Sequence, residues 1–102
     1  MTPEKRVQSA ICDYLSELEN AGYPLYHERR QAGGYSYKMG IPDLYAVFNG
    51  QHIEIEVKKP GGERSSMQYK WERKAKSYGM LYICAESVDE VKTLFKEHFN
   101  VD

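Results

Sequence analysis

Asp43, Glu56 and Lys58 stand close enough along the chain to do acid, base or metal chemistry together. Asn49-Gly50 lies between two runs of alternating character, 42–48 and 51–58, and this dipeptide predicts a hairpin with a two-residue turn. Counting back from that turn, Phe48 faces Gln51, Ala46 faces Ile53, Tyr45 faces Glu54 and Asp43 faces Glu56. Side chains alternate across a sheet, so Ile53, Ile55 and Val57 share one face while His52, Glu54, Glu56 and Lys58 share the other. Two carboxylates opposed in this way have Cβ atoms roughly 5 Å apart and repel each other. A hard divalent cation relieves such a pair, and Lys58, diagonal to Asp43, offsets part of the charge without one. The competing reading is a solvent-facing hairpin with scattered charges, which His52 and Glu54 fit equally well.

The elements that must hold these residues follow from periodicity. Thr2-Pro3 makes an N-cap and first turn for a helix whose Val7, Ala10, Ile11, Tyr14, Leu15 and Leu18 recur at helical spacing, until Gly22 and Pro24 stop it. Leu25 to Arg30 is a short strand, and Gln31 to Met39, rich in Gly and Tyr, is a loop. Beyond the hairpin, Pro60-Gly61-Gly62 ends the second strand. Ser65 with Gln68 forms a capping box for a helix striped by Met67, Trp71, Ala75 and Tyr78, closed by Gly79. Met80 to Ala85 is an apolar run expected to be a strand buried on both faces. A second capping box, Ser87 to Glu90, opens a helix with Val88, Val91, Leu94, Phe95 and Phe99 on one side. The order α-β-β-β-α-β-α describes an α/β domain over 1–102, a mixed sheet flanked by helices.

Bulk composition narrows the class. With 41% hydrophobic and 28% charged residues, the chain reads as a soluble globular domain rather than a membrane or disordered one. No apolar segment leads it and none approaches membrane-spanning length, so a cytoplasmic location is expected. Cys12 and Cys84 sit in apolar patterns and are expected as buried free thiols; no Cys/His spacing matches a zinc site, and His27, His52 and His98 have no evident partners. The stretch from Arg29 to Lys76 holds ten Lys/Arg against five Asp/Glu, although the net charge is −1. A basic middle between acidic ends fits a surface that attracts polyanions, and equally a solvated charged face.

Gly40-Ile41-Pro42-Asp43-Leu44, then Ile55-Glu56-Val57-Lys58, then Gln68 and Trp71 in a QxxW pattern, together resemble the PD-(D/E)XK nuclease signature, with twelve residues between Asp43 and Glu56. More closely, the chain is similar to the VRR-NUC (virus-type replication-repair nuclease) family over nearly its whole length. The resemblance implies a restriction-endonuclease-like fold and a phosphodiester hydrolase using Mg²⁺ or Mn²⁺. Asp43 and Glu56 would match the metal-binding acids, the Val57 backbone carbonyl would be a further ligand, and Lys58 would orient or help deprotonate the attacking water. Gln68 matches the family's glutamine after the lysine and would approach the phosphate; its other reading is the cap at Ser65. Glu4 matches either the acid that many relatives carry on the first helix or a carboxylate favoured by the helix dipole. Trp71, on the apolar stripe, reads as core.

The resemblance also implies DNA as substrate. Arg29, Arg30, Tyr35, Tyr37 and Lys38 lead into the GIPD segment and would contact phosphates or stack on an exposed base, with Lys59, Arg64 and Lys70 extending the basic surface. Small relatives are associated with homodimers that cut branched DNA such as Holliday junctions, and with phage and bacterial hosts. The alternatives are a nuclease for flaps, nicked or foreign duplex, or a non-catalytic nucleic-acid-binding module.

Overall fold

The computed structural model describes residues 1–30 and 40–101. Thr2 caps helix α1 (Pro3–Asn20): its hydroxyl accepts the Lys5 N–H at 3.2 Å and Pro3 takes the first helical position. The predicted stripe is buried at Ile11, Tyr14, Leu15 and Leu18. Strand β1 (Leu25–Arg29) follows; the loop expected over 31–39 lies outside the described residues. Strands β2 (Leu44–Phe48) and β3 (Gln51–Val57) form the hairpin in the expected register, from Phe48 opposite Gln51 to Leu44 opposite Ile55. β2 begins at Leu44 rather than Pro42, because proline has no N–H to give a ladder.

The sheet order is β1-β2-β3-β4, with strand β4 (Leu81–Ala85) parallel to β3 and joined to it through helix α2 (Ser66–Ser77). Helix α3 (Val88–Phe99) ends the chain's regular structure. α1 packs on β1 and β3, α3 packs on α1 and β4, and α2 packs on β4. Between α1, α3 and the sheet lies the core of Leu15, Leu44, Ile53, Ile55, Val91 and Phe95. Phe48 stacks on Phe99 with ring centres 4.4 Å apart, and Phe95 meets both rings edge-on.

Several expectations give way. β4 is an edge strand, half-buried at Leu81 to Cys84 and fully buried at Ala85, since an apolar run does not disclose whether its strand has one neighbour or two. On α2 only Ala75 is fully buried; Met67 and Tyr78 are exposed and Trp71 is half-buried. Both cysteines are free but half-buried. The α3 cap is half a box: the Ser87 hydroxyl accepts the Glu90 N–H, while the Glu90 carboxylate accepts from Glu86 instead of Ser87. His27 and His52 do have partners, Glu19 at 2.6 Å and Glu54.

Candidate active site

Register alone fixes which side chains share the face opposite the core. β1 contributes Tyr26, Glu28 and Arg30 at its end; β2 contributes Tyr45 and Val47 with Asp43 just ahead; β3 contributes His52, Glu54 and Glu56, with Lys58 just beyond; β4 contributes Tyr82 and Cys84. The β2–β3 ladder stops at Leu44 and Ile55, so Asp43 and Glu56 occupy the next position along it.

Glu56 is only 3% exposed, yet its Oε1 has no hydrogen-bond partner among the described residues. Its carboxyl is pushed up to about 7, first by burial and then by the Asp43 charge; Lys58 and Arg64 pull it down and Glu4 pushes it further up. Four charged groups from four places therefore converge on one buried acid: the approach to β2, the end of β3, the first turn of α1 and the segment before α2. Asp43, Lys58 and Glu4 are each half-buried. The Lys58 N–H donates to the Ala85 carbonyl at 3.0 Å, so Lys58 turns its backbone toward β4. Backbone groups alternate along a strand, so Val57 turns its carbonyl to the other edge, where Asp43 lies.

Gly40 sets the height of the Pro42-Asp43 corner. Its φ is +85°, and a Cβ there would lie 2.4 Å from the Met67 carbonyl oxygen, so only glycine lets this segment touch the first turn of α2. That turn is itself locked. The Ser65 hydroxyl accepts the Gln68 N–H at 3.2 Å, and the Gln68 Oε1 accepts the Ser65 N–H at 2.8 Å. The Gln68 side chain thus folds back onto its cap rather than reaching toward a phosphate, the reverse of the preference drawn from the resemblance.

The residues expected to touch DNA divide. Arg29 is exposed but alternates onto the α1 face of the sheet, away from Glu56. Arg30 is on the right face, but its guanidinium is bound to Glu54 at 2.5 and 2.8 Å and to the Pro42 carbonyl at 2.9 Å. Arg64 pairs with Glu72 at 2.6 Å and lies 4.0 Å from the Tyr69 ring centre. Lys59 and Lys70 are exposed. Tyr35, Tyr37 and Lys38 lie outside the described residues.

Glu54 escapes sequence reasoning as a site residue. It is 1% exposed, with both oxygens engaged by Arg30 and one also by His52. Burial alone would raise its carboxyl, but these partners outweigh that and hold it below the usual range. The signal was present in the shared face of 52, 54, 56 and 58; the counter-charge from β1 was not.

The donor set fits a hard divalent cation. Among the described residues no three His, Cys, Asp or Glu side chains cluster closely enough to hold a metal by themselves. Mg²⁺ is ordinarily bound by one or two carboxylates, with water and substrate phosphate completing its shell. A buried acid with an unpartnered oxygen, next to a second acid, is that kind of incomplete site. Neither a family model nor a curated protein matches the chain. A solved structure described as a "VRR_NUC domain" has a TM-score of 0.75 over 97% of this chain and 99% of that one, at 21% identity. The chain therefore has the fold of a VRR_NUC domain.

Proposed function

We propose that this chain is a metal-dependent DNA endonuclease of the PD-(D/E)XK type, with Asp43, Glu56 and the Val57 carbonyl holding Mg²⁺ or Mn²⁺. The observation that carries the reading is Glu56, a buried carboxylate with one oxygen unpartnered among the described residues, beside Asp43 and Lys58. Bound there, the cation would polarise the scissile phosphate and lower the pKa of a coordinated water. The Lys58 ammonium steadies the attacking water and offsets charge that grows on the phosphate oxygens. Glu56 acts as a ligand in its unprotonated form, so a cation competes with a proton there and binds more weakly as pH falls below about 7. Glu4 brings a third carboxylate toward the pair from α1. Gln68 serves by locking the α2 turn that supports Gly40, and Arg64 by moderating the charge at Glu56.

Of the residues expected to extend the basic surface, Lys59 and Lys70 are exposed to the phosphate backbone, and backbone contacts confer little sequence preference. Branched DNA, of the Holliday-junction kind, is the proposed target, cut by a homodimer whose twofold axis matches the two nicks a symmetric junction needs. The outer edge of β4, which no described strand pairs and which carries no charged side chain, supports such pairing. No described helix is long and apolar enough to cross a membrane. The test is cleavage of a synthetic four-way junction, a flap, linear duplex and single strand, with Mg²⁺, Mn²⁺ or EDTA. Paired nicks in the junction that vanish in Asp43→Ala and Lys58→Ala are expected. Cleavage of flaps alone would move the substrate, and binding without cleavage under every condition would defeat the enzyme reading.

A further inference from the structure

Pro42 and Asp43 precede the β2–β3 ladder, so pairing with β3 does not hold them. Besides the burial of Pro42, two hydrogen bonds from Arg30 hold them. Its backbone N–H donates to the Asp43 carbonyl at 2.7 Å, and its Nη1 donates to the Pro42 carbonyl at 2.9 Å. The same guanidinium is fixed in direction by Glu54, through Nη1 to Oε1 at 2.5 Å and Nη2 to Oε2 at 2.8 Å, and lies 4.8 Å from the Tyr45 ring centre. A forked guanidinium bound at both nitrogens has one orientation, which an ammonium would not. Glu54 stands one alternate position before Glu56 on the same strand and face. A carboxylate buried to 1% exposure gains little stability from an ion pair that two apolar side chains would not supply. Its geometric consequence is specific, because it ties the corner that carries one acid of the pair to the strand that carries the other.

We propose that Glu54 is a positioning residue that acts through Arg30 to hold Asp43 at metal-binding distance from Glu56. The inference rests on the metal-site reading above, and its test separates the two. Mn²⁺ binding without DNA is measured by isothermal titration calorimetry at pH 8 on Glu54→Gln, Arg30→Lys, His52→Ala and Asp43→Asn, below each variant's melting temperature. Loss of such supporting contacts ordinarily costs 10–100-fold in metal affinity. Glu54→Gln and Arg30→Lys are each expected to weaken Mn²⁺ by about that factor. His52→Ala, which leaves the Arg30 fork intact, is expected to change it less than about threefold, a small part of that cost. Should Glu54→Gln fail to fold, Arg30→Lys carries the same test. Weaker melting with unchanged Mn²⁺ affinity in Glu54→Gln and Arg30→Lys, while Asp43→Asn loses the metal, would overturn the inference and leave the site standing. Unchanged affinity in Asp43→Asn as well would overturn both.

Discussion

Replacing Glu56 with glutamine should stabilise the metal-free protein, and only at higher pH. The buried carboxyl titrates at about 7 in the folded chain, against 4.5 when unperturbed. Between those values the folded chain keeps a proton that the unfolded chain gives up. Stability associated with the protonated acid is therefore complete below about pH 4.5 and lost as pH rises through 7. At 1.36 kcal/mol per pKa unit the loss by pH 8 is about 3 kcal/mol, of which under 1 is already present at pH 5. Glutamine mimics the protonated form and escapes this loss. Its own unpaired amide N–H groups cost something, but they cost it equally at both pH values. The readable quantity is thus the change in the gap between variant and wild type, about 2 kcal/mol in favour of the variant from pH 5 to pH 8. For a domain of this size that amounts to a shift on the order of 10 °C in relative Tm. Thermal melts followed by circular dichroism in EDTA at the two pH values measure it. A gap that does not change with pH, or that moves toward the wild type at pH 8, would refute the argument that burial and Asp43 load this acid.

Mg²⁺ or Mn²⁺ at a hundredfold excess over Kd should stabilise the wild type by about 2.7 kcal/mol at pH 8, and by less at pH 6, where Glu56 must first lose its proton. Differential scanning fluorimetry with equal shifts at both pH values would contradict this. Gly40→Ala should lower stability by about 2 kcal/mol or more, through its positive φ and the contact with Met67, measured by urea unfolding. Gln68→Ala should cost about 1 kcal/mol by removing half of the α2 cap while cleavage at 25 °C stays within about tenfold. A loss of activity by a hundredfold or more without a matching change in Tm would return Gln68 to the chemistry.

The hairpin was legible in the sequence because Asn49-Gly50 admits few turns: Asn49 and Gly50 both take the positive φ that a tight primed turn requires. Once the turn is known, the facing of Asp43 and Glu56 is arithmetic. The caps at Thr2 and Ser65 were legible for a similar reason, since each is decided by residues within one turn. What escaped depends on neighbours distant in the chain. Glu54 reads as a surface charge until Arg30 is brought over it by β1 pairing with β2. Arg29 and Arg30 look alike in sequence, yet alternation sends them to opposite faces, and one has a buried acid waiting. β4 reads as buried on both faces from its apolar run, which says nothing about whether a further strand lies beside it.

Strand β3 is paired on both sides, whereas among the described residues the Pro42-Asp43 corner is tied to the strands by two hydrogen bonds from Arg30 and by the buried Pro42 ring. The two acids therefore belong to parts of the molecule that open at different rates. Amides around Ile55 and Val57 should exchange with solvent deuterium only when the whole domain unfolds, while the amide of Asp43, ahead of the ladder, exchanges through smaller local openings. Each such opening would separate Asp43 from Glu56 while the β2–β3 ladder stays paired, with the Pro42 ring exposed in the process. The residence time of a bound cation would then be set by how often this one corner lifts, and not by the stability of the fold.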